Sequence, residues 1–137
     1  MGKNIAAGIA GVVIAVALVW LIEMIGHSVY PPPPNLDFAD RDAMRDYIST
    51  LPIGAFLFLG GAWFVATLCG TFAACKIGSA KPVVFAGVVG GLMLIATAAN
   101  LIMIPHPLWF SILGIVGIMI AAWLGMTLAA GSASNRE

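Results

Sequence analysis

The amino-acid sequence predicts an all-α membrane protein, a four-transmembrane-helix antiparallel bundle with a short outer amphipathic helix. Three observations carry this expectation. Hydrophobic residues make up 61% of the chain and charged residues 9%, against roughly 45–50% and about 25% in soluble domains. Four apolar segments, each long enough to cross ~30 Å of hydrocarbon as a helix rising 1.5 Å per residue, are separated by polar, proline-containing punctuation. Little of the 137-residue chain is left over, so residues 1–137 are expected to form a single integral membrane domain. The formal net charge is zero; with no basic patch to neutralise phosphates, nucleic acid is excluded as a partner.

The first span is expected at about residues 5–27. Lys3 and the apolar run behind it have the look of a secretory signal. The run is longer than a signal core, however, and Glu23 and His27 stand where a small-x-small cleavage site belongs, so a retained span is expected. A myristoylation signal is not supported, because Ala6 occupies the position that needs Ser or Thr. The four prolines Pro31 to Pro34 cannot continue a helix and form a stiff polyproline II stretch of about 12 Å at ~3.1 Å per residue.

Residues 28–51 form the outer loop. Within it Asp40 is placed to N-cap a short helix running to about Ser49, and Met44, Tyr47, Ile48 and Leu51 recur at amphipathic spacing. That helix should lie on the end of the bundle with its apolar side down. The remaining spans are expected at about residues 52–76, 82–104 and 107–130. Pro52, Pro82 and Pro107 stand at their starts, where a missing backbone N–H costs least.

Orientation follows from the six Lys and Arg residues. Lys3, Lys76, Lys81 and Arg136 fall on one side of a four-span arrangement; Arg41 and Arg45 fall on the other, among Asp37, Asp40, Asp42 and Asp46. The positive-inside rule then places both termini in the cytoplasm and loop 28–51 on the periplasmic or extracellular side.

Small residues recur every four positions. Ala7, Gly11 and Ala15 form such a row in the first span, Ala62, Ala66, Gly70 and Ala74 in the second, Gly87 and Gly91 in the third, and Gly117, Ala121, Gly125 and Ala129 in the fourth. Such rows let helix backbones approach closely in lipid, where no hydrophobic drive acts between helices. They are expected to face other helices, and they also leave room for a homo-oligomer.

The candidate chemistry gathers at the outer end. Glu23 and His27 end the first span, His106 lies in the turn between the third and fourth, and Asn100 stands about one and a half turns before it. Continuing the Ala7–Gly11–Ala15 row by fours through Val19 reaches Glu23 and His27, which are neighbours on a helix. Ionisable groups facing lipid cost several kcal/mol, so an inward Glu23 is expected. Cys69 and Cys75 are six apart on one helix and point to different faces, which argues against a disulfide or a metal pair. Trp109 and Tyr30 suit an interfacial belt. The glycines of "GGAW" and "GVVGG" do not follow a strand, so no phosphate-binding loop is implied.

E-x-x-x-H closing the first span, the "YPPP" run, a short acidic loop, "LP" opening the second span and N-x-x-x-x-P-H-P-x-W together resemble a group of small bacterial four-span membrane proteins with no assigned activity. The resemblance covers most of the chain. It implies this architecture and a bacterial inner-membrane home, and it implies no substrate.

Two readings of the outer cluster follow. Glu23, His27, Asn100 and His106 could form a hydrogen-bonded polar network pinning the first span to the last turn. Alternatively Glu23, His27 and His106 could bind a divalent metal such as zinc, since two imidazoles and a carboxylate match a zinc first shell with one position left for water. The first suits a structural, accessory or assembly protein working within a larger membrane complex. A transporter would need an oligomer, because Thr67, Cys69, Thr71 and Thr127 alone do not make a polar path. A hydrolase is disfavoured: Ser28 and His27 are adjacent and diverge on a helix, and Ser111 is five positions past His106.

Overall fold

In the computed structural model, which describes residues 1–134, the chain is helical and contains no strand among those residues. The order is α1 (Gly2–Val29), α2 (Arg41–Thr50), α3 (Ile53–Ile77), α4 (Pro82–Met103) and α5 (Leu108–Ser134). Helices α1, α3, α4 and α5 are long and apolar enough to cross a membrane. They pack against one another as the expected four-helix bundle, and α2 is the expected short helix between the first two.

Local chemistry sets the boundaries. Tyr30 precedes Pro31, whose ring disfavours helical geometry in the residue before it. Tyr30 accordingly leaves the helix at φ −125° and ψ 70°, and α1 ends at Val29. In the loop, the Asp40 carboxylate accepts from the backbone amides of Asp42 at 2.9 Å and Ala43 at 3.2 Å, an N-cap that fixes where α2 begins. Met44 and Ile48 on its lower side are buried, with Tyr47 and Leu51 packed beside them. The Arg41 guanidinium donates to the Ile102 carbonyl at 2.9 Å, tying α2 to the end of α4. Pro107 opens the last helix, its carbonyl accepting from Phe110 at 3.0 Å and Ser111 at 3.1 Å.

Helix α3 is the hub. It packs most extensively on α1 and nearly as much on α5, while α4 leans chiefly on α5. Two of these contacts need glycine. A Cβ on Gly11 would stand 2.6 Å from the Gly70 carbonyl oxygen, and one on Gly70 would stand 2.5 Å from that of Gly11. Likewise a Cβ on Gly125 would lie 2.6 Å from the Leu68 carbonyl oxygen, so α5 meets α3 backbone to backbone. Ala7, Ala15, Ala62, Ala66, Ala74, Ala121 and Ala129 are buried along the same rows, as their spacing predicts.

The third span departs from that expectation. Nothing lies within 4 Å of a Cβ on Gly87 or Gly91, whereas one on Gly90 would meet Ala122 Cβ at 2.8 Å. The buried row of α4 is Phe85, Val89, Met93 and Thr97. Two residues on from Phe85 is about 200° around the axis, so Gly87 faces away from that row. Large side chains together with Gly90, and not Gly87 or Gly91, form the packed face of α4.

Helices α1 and α4 touch least of the packed pairs. At one end they are joined through Asn4, whose side-chain oxygen accepts from the backbone amides of Ser79 at 2.8 Å and Ala80 at 3.1 Å and from the Ser79 hydroxyl at 3.1 Å. From there toward Glu23 and Asn100 the two helices line a seam of clefts along the bundle.

Candidate functional site

The row that starts at Ala7 winds by about 40° for each four-residue step. Ala7, Gly11 and Ala15 are therefore buried, Val19 and Glu23 are half-buried, and His27 is exposed at the rim. Glu23 does not face lipid alone: it borders a cavity of about 190 Å³ at the end of the bundle where α1 finishes, lined also by His27, Tyr30, Asn100, Ile104 and His106. The four residues that the sequence places at one level thus share one cavity.

They are not bonded to each other. His106 lies in the turn after α4, where its backbone amide and its ring Nδ1 both lie 2.9 Å from the Ile104 carbonyl oxygen. A carbonyl only accepts, so Nδ1 carries the proton and a neutral ring leaves Nε2 as an acceptor. Burial pushes the His106 pKa below its ordinary value, partly opposed by this backbone bond. Its ring stacks on Phe110 at 5.2 Å between centroids, within an aromatic group that includes Phe56, Trp63 and Trp109.

Asn100 stands in the last turn of α4, and its side-chain oxygen is buried with no hydrogen-bond partner. Neither Glu23 nor His27 has a side-chain hydrogen bond or ion pair among the described residues. The nearby arginines are engaged elsewhere, Arg41 with Ile102 and Arg45 with Asp42 at 3.3 Å. The expected polar network is therefore a shared lining and not a bonded set. The described residues also contain no group of three or more His, Cys, Asp or Glu close enough together to hold a metal ion. Glu23, His27 and His106 surround the cavity without converging as a ligand set.

Two glycines missed at the sequence level shape the wall between α1 and α3. A Cβ on Gly26 would lie 2.9 Å from Phe58 Cδ1, and one on Gly54 would lie 2.6 Å from the Tyr30 hydroxyl. Gly26 lets the Phe58 ring close against α1, and Gly54 seats Tyr30 over α3 as a lining residue. Their only signal in the sequence is position, one between Glu23 and His27 and the other just past Pro52.

Chemically the cavity is a cup of acceptors: a carboxylate, an amide oxygen with no donor, and an imidazole held toward its neutral form. It can receive a donor or a cation. The chain matches no known protein family, no curated protein and no solved structure.

Proposed function

We propose that this integral membrane protein is an accessory component, of structural or assembly type, that holds a hydrogen-bond-donating group of another molecule in its outer cavity. The observation that carries the reading is the Asn100 side-chain oxygen, buried without a donor in the same cavity as the unpaired Glu23 carboxylate. Buried acceptors are normally satisfied, and leaving one open costs about 1–3 kcal/mol. A ligand group that donates there recovers that cost.

In this reading the protein sits in a bacterial inner membrane, alone, as a homo-oligomer or within a larger complex. Both termini face the cytoplasm and the cavity opens outward. The resemblance to small bacterial four-span proteins supports the membrane, and the distribution of Lys3, Lys76 and Lys81 against Arg41 and Arg45 supports the orientation. Arg136, which adds to the same side, lies outside the described residues.

The test is native mass spectrometry with elemental analysis on protein purified in mild detergent without chelator. A bound species retained by the native chain and lost from Glu23→Gln is the expected result. Stoichiometric zinc or another divalent ion, removed by chelator with a fall in melting temperature, would replace this reading with a metal site. No bound species in either chain would sink both.

A further inference from the structure

The outer cavity does not end at Glu23. Glu23 and Asn100 also line the upper end of a second cleft, of about 330 Å³, whose other walls include Trp20, Trp63, Met93 and Thr97. Beyond it the same two helices enclose a third groove of about 500 Å³, lined by Ile5, Ile9, Val13, Val84, Val88 and Leu92, among others. The three follow one another along the α1–α4 seam, which spans about 28 Å between Asn4 and Glu23 at 1.5 Å per residue. The seam is polar at one end and apolar along the rest.

Resting on the reading of the outer cavity as a ligand site, we infer that this seam binds a single-chain lipid amine, with its protonated amine at Glu23 and Asn100 and its chain along the groove. Charge complementarity selects the head. Glu23 is an acidic side chain among span residues with no Lys or Arg partner, and an ionisable group in such a place is retained only at a cost unless something pairs with it. Asn100 supplies a second acceptor lacking a donor. Trp20 and Trp63 flank the position, and aromatic faces attract ammonium groups. An acid or a phosphate would meet an acidic side chain and an unsatisfied amide oxygen.

A second copy of this chain does not fit the seam as well. Lys3 lies at the opposite end of α1 from Glu23, Lys76 and Lys81 flank the turn that Asn4 caps, and Arg41 and Arg45 are engaged outside the spans. No Lys or Arg stands within a described span at the level of Glu23. The cation must come from another molecule, and the groove's length and apolar walls suit one extended hydrocarbon chain.

Binding of hexadecylamine to the full chain in phosphatidylcholine nanodiscs tests this, with hexadecanol and hexadecanoic acid as controls. The amine should bind saturably and raise the melting temperature, and the alcohol and acid should not. Glu23→Gln should weaken amine binding by about 10- to 100-fold, the scale of a hydrogen bond to a charged group. Gly8→Leu tests the tail. A Cβ there meets only Val88, at 3.7 Å, so a leucine reaches into the groove without forcing backbone apart. It should weaken hexadecylamine while sparing octylamine.

Equal binding of amine, alcohol and acid would overturn the inference, as would indifference of hexadecylamine to Gly8→Leu, or dimerisation that buries the seam. If hexadecylamine fails but another species is retained in a Glu23-dependent way, the lipid amine is wrong and the cavity reading stands. If nothing is retained, both fall.

Discussion

The protein carries two asparagines at opposite ends of the α1–α4 seam that face opposite situations. The Asn4 oxygen accepts three hydrogen bonds from Ser79 and Ala80, whereas the Asn100 oxygen, though buried, accepts none. The rest of each end matches its asparagine. Toward Asn4 the glycines Gly11 and Gly70 bring the α1 and α3 backbones together, and toward Asn100 a cavity opens beside Glu23. One end closes on itself chemically; the other keeps acceptors open. A bundle built for stability alone would have replaced Asn100 with an apolar residue, since an apolar group of similar shape avoids the unmet acceptor.

The largest effect is expected at the close crossing of Gly11 and Gly70. Gly70→Leu would drive a side chain into the Gly11 carbonyl, and the helices would have to separate; a loss of about 3 kcal/mol or more is expected, at the upper end for overpacking. Gly87→Leu, projecting into open space, should change stability by no more than about 0.5 kcal/mol. Thermal melts of both variants in detergent decide it. Similar losses at the two sites would show that the closed crossing is not where the bundle is held.

Next comes Asn4→Ala, which removes three acceptor contacts and leaves the Ser79 and Ala80 amides of the turn without a cap. A cost of about 1 kcal/mol is expected, as for loss of a helix cap. Amide exchange of Ser79 and Ala80 should quicken with it. Unchanged protection there would mean that the Asn4 side chain does not hold the turn.

Asn100→Leu should act in the opposite direction. Side-chain hydrogen bonds between membrane helices average about 0.6 kcal/mol, and Asn100 makes none to lose. Removing its open acceptor should leave melting unchanged or raise it in ligand-free detergent. A fall like that of Asn4→Ala would show that Asn100 is bonded, and the contrast between the two ends would collapse.

Much of this was legible in the sequence. Hydropathy and prolines located four spans, since nothing but helices satisfies backbone polar groups in lipid without a closed barrel. Asp40 and the Met44–Ile48 spacing located α2 for a local reason, a cap followed by one amphipathic turn after another. The outer cluster was legible because polar residues in a span are few. Its bonding was not. Whether Glu23 meets Asn100 and His106 or opens on a cavity depends on how α1 and α4 sit beside one another at that end, and no local pattern records that distance. Asn4 went unread for the same reason: its partners lie 75 and 76 positions away. The glycines of α4 misled because a small-residue row marks an interface only when no larger row outcompetes it, and Phe85, Val89 and Met93 do.

The finest probe of the open end is the titration of His106. Burial favours the neutral ring, so the folded-state pKa lies below the value of 6.5 expected for an unperturbed imidazole. Well above 6.5 the ring is neutral in both folded and unfolded chains and contributes no pH dependence. As pH falls through that value the unfolded chain takes up the proton first, so it binds more protons than the folded chain, and stability falls with falling pH. The fall stops once pH drops below the folded pKa. Melting temperature should therefore decline gently in this window. His106→Gln should flatten it. A slope that survives His106→Gln would show that another group sets it, and a slope of opposite sign in the native chain would mean that the ring is stabilised in its charged form by an acceptor such as Glu23 and that the open end is already bonded.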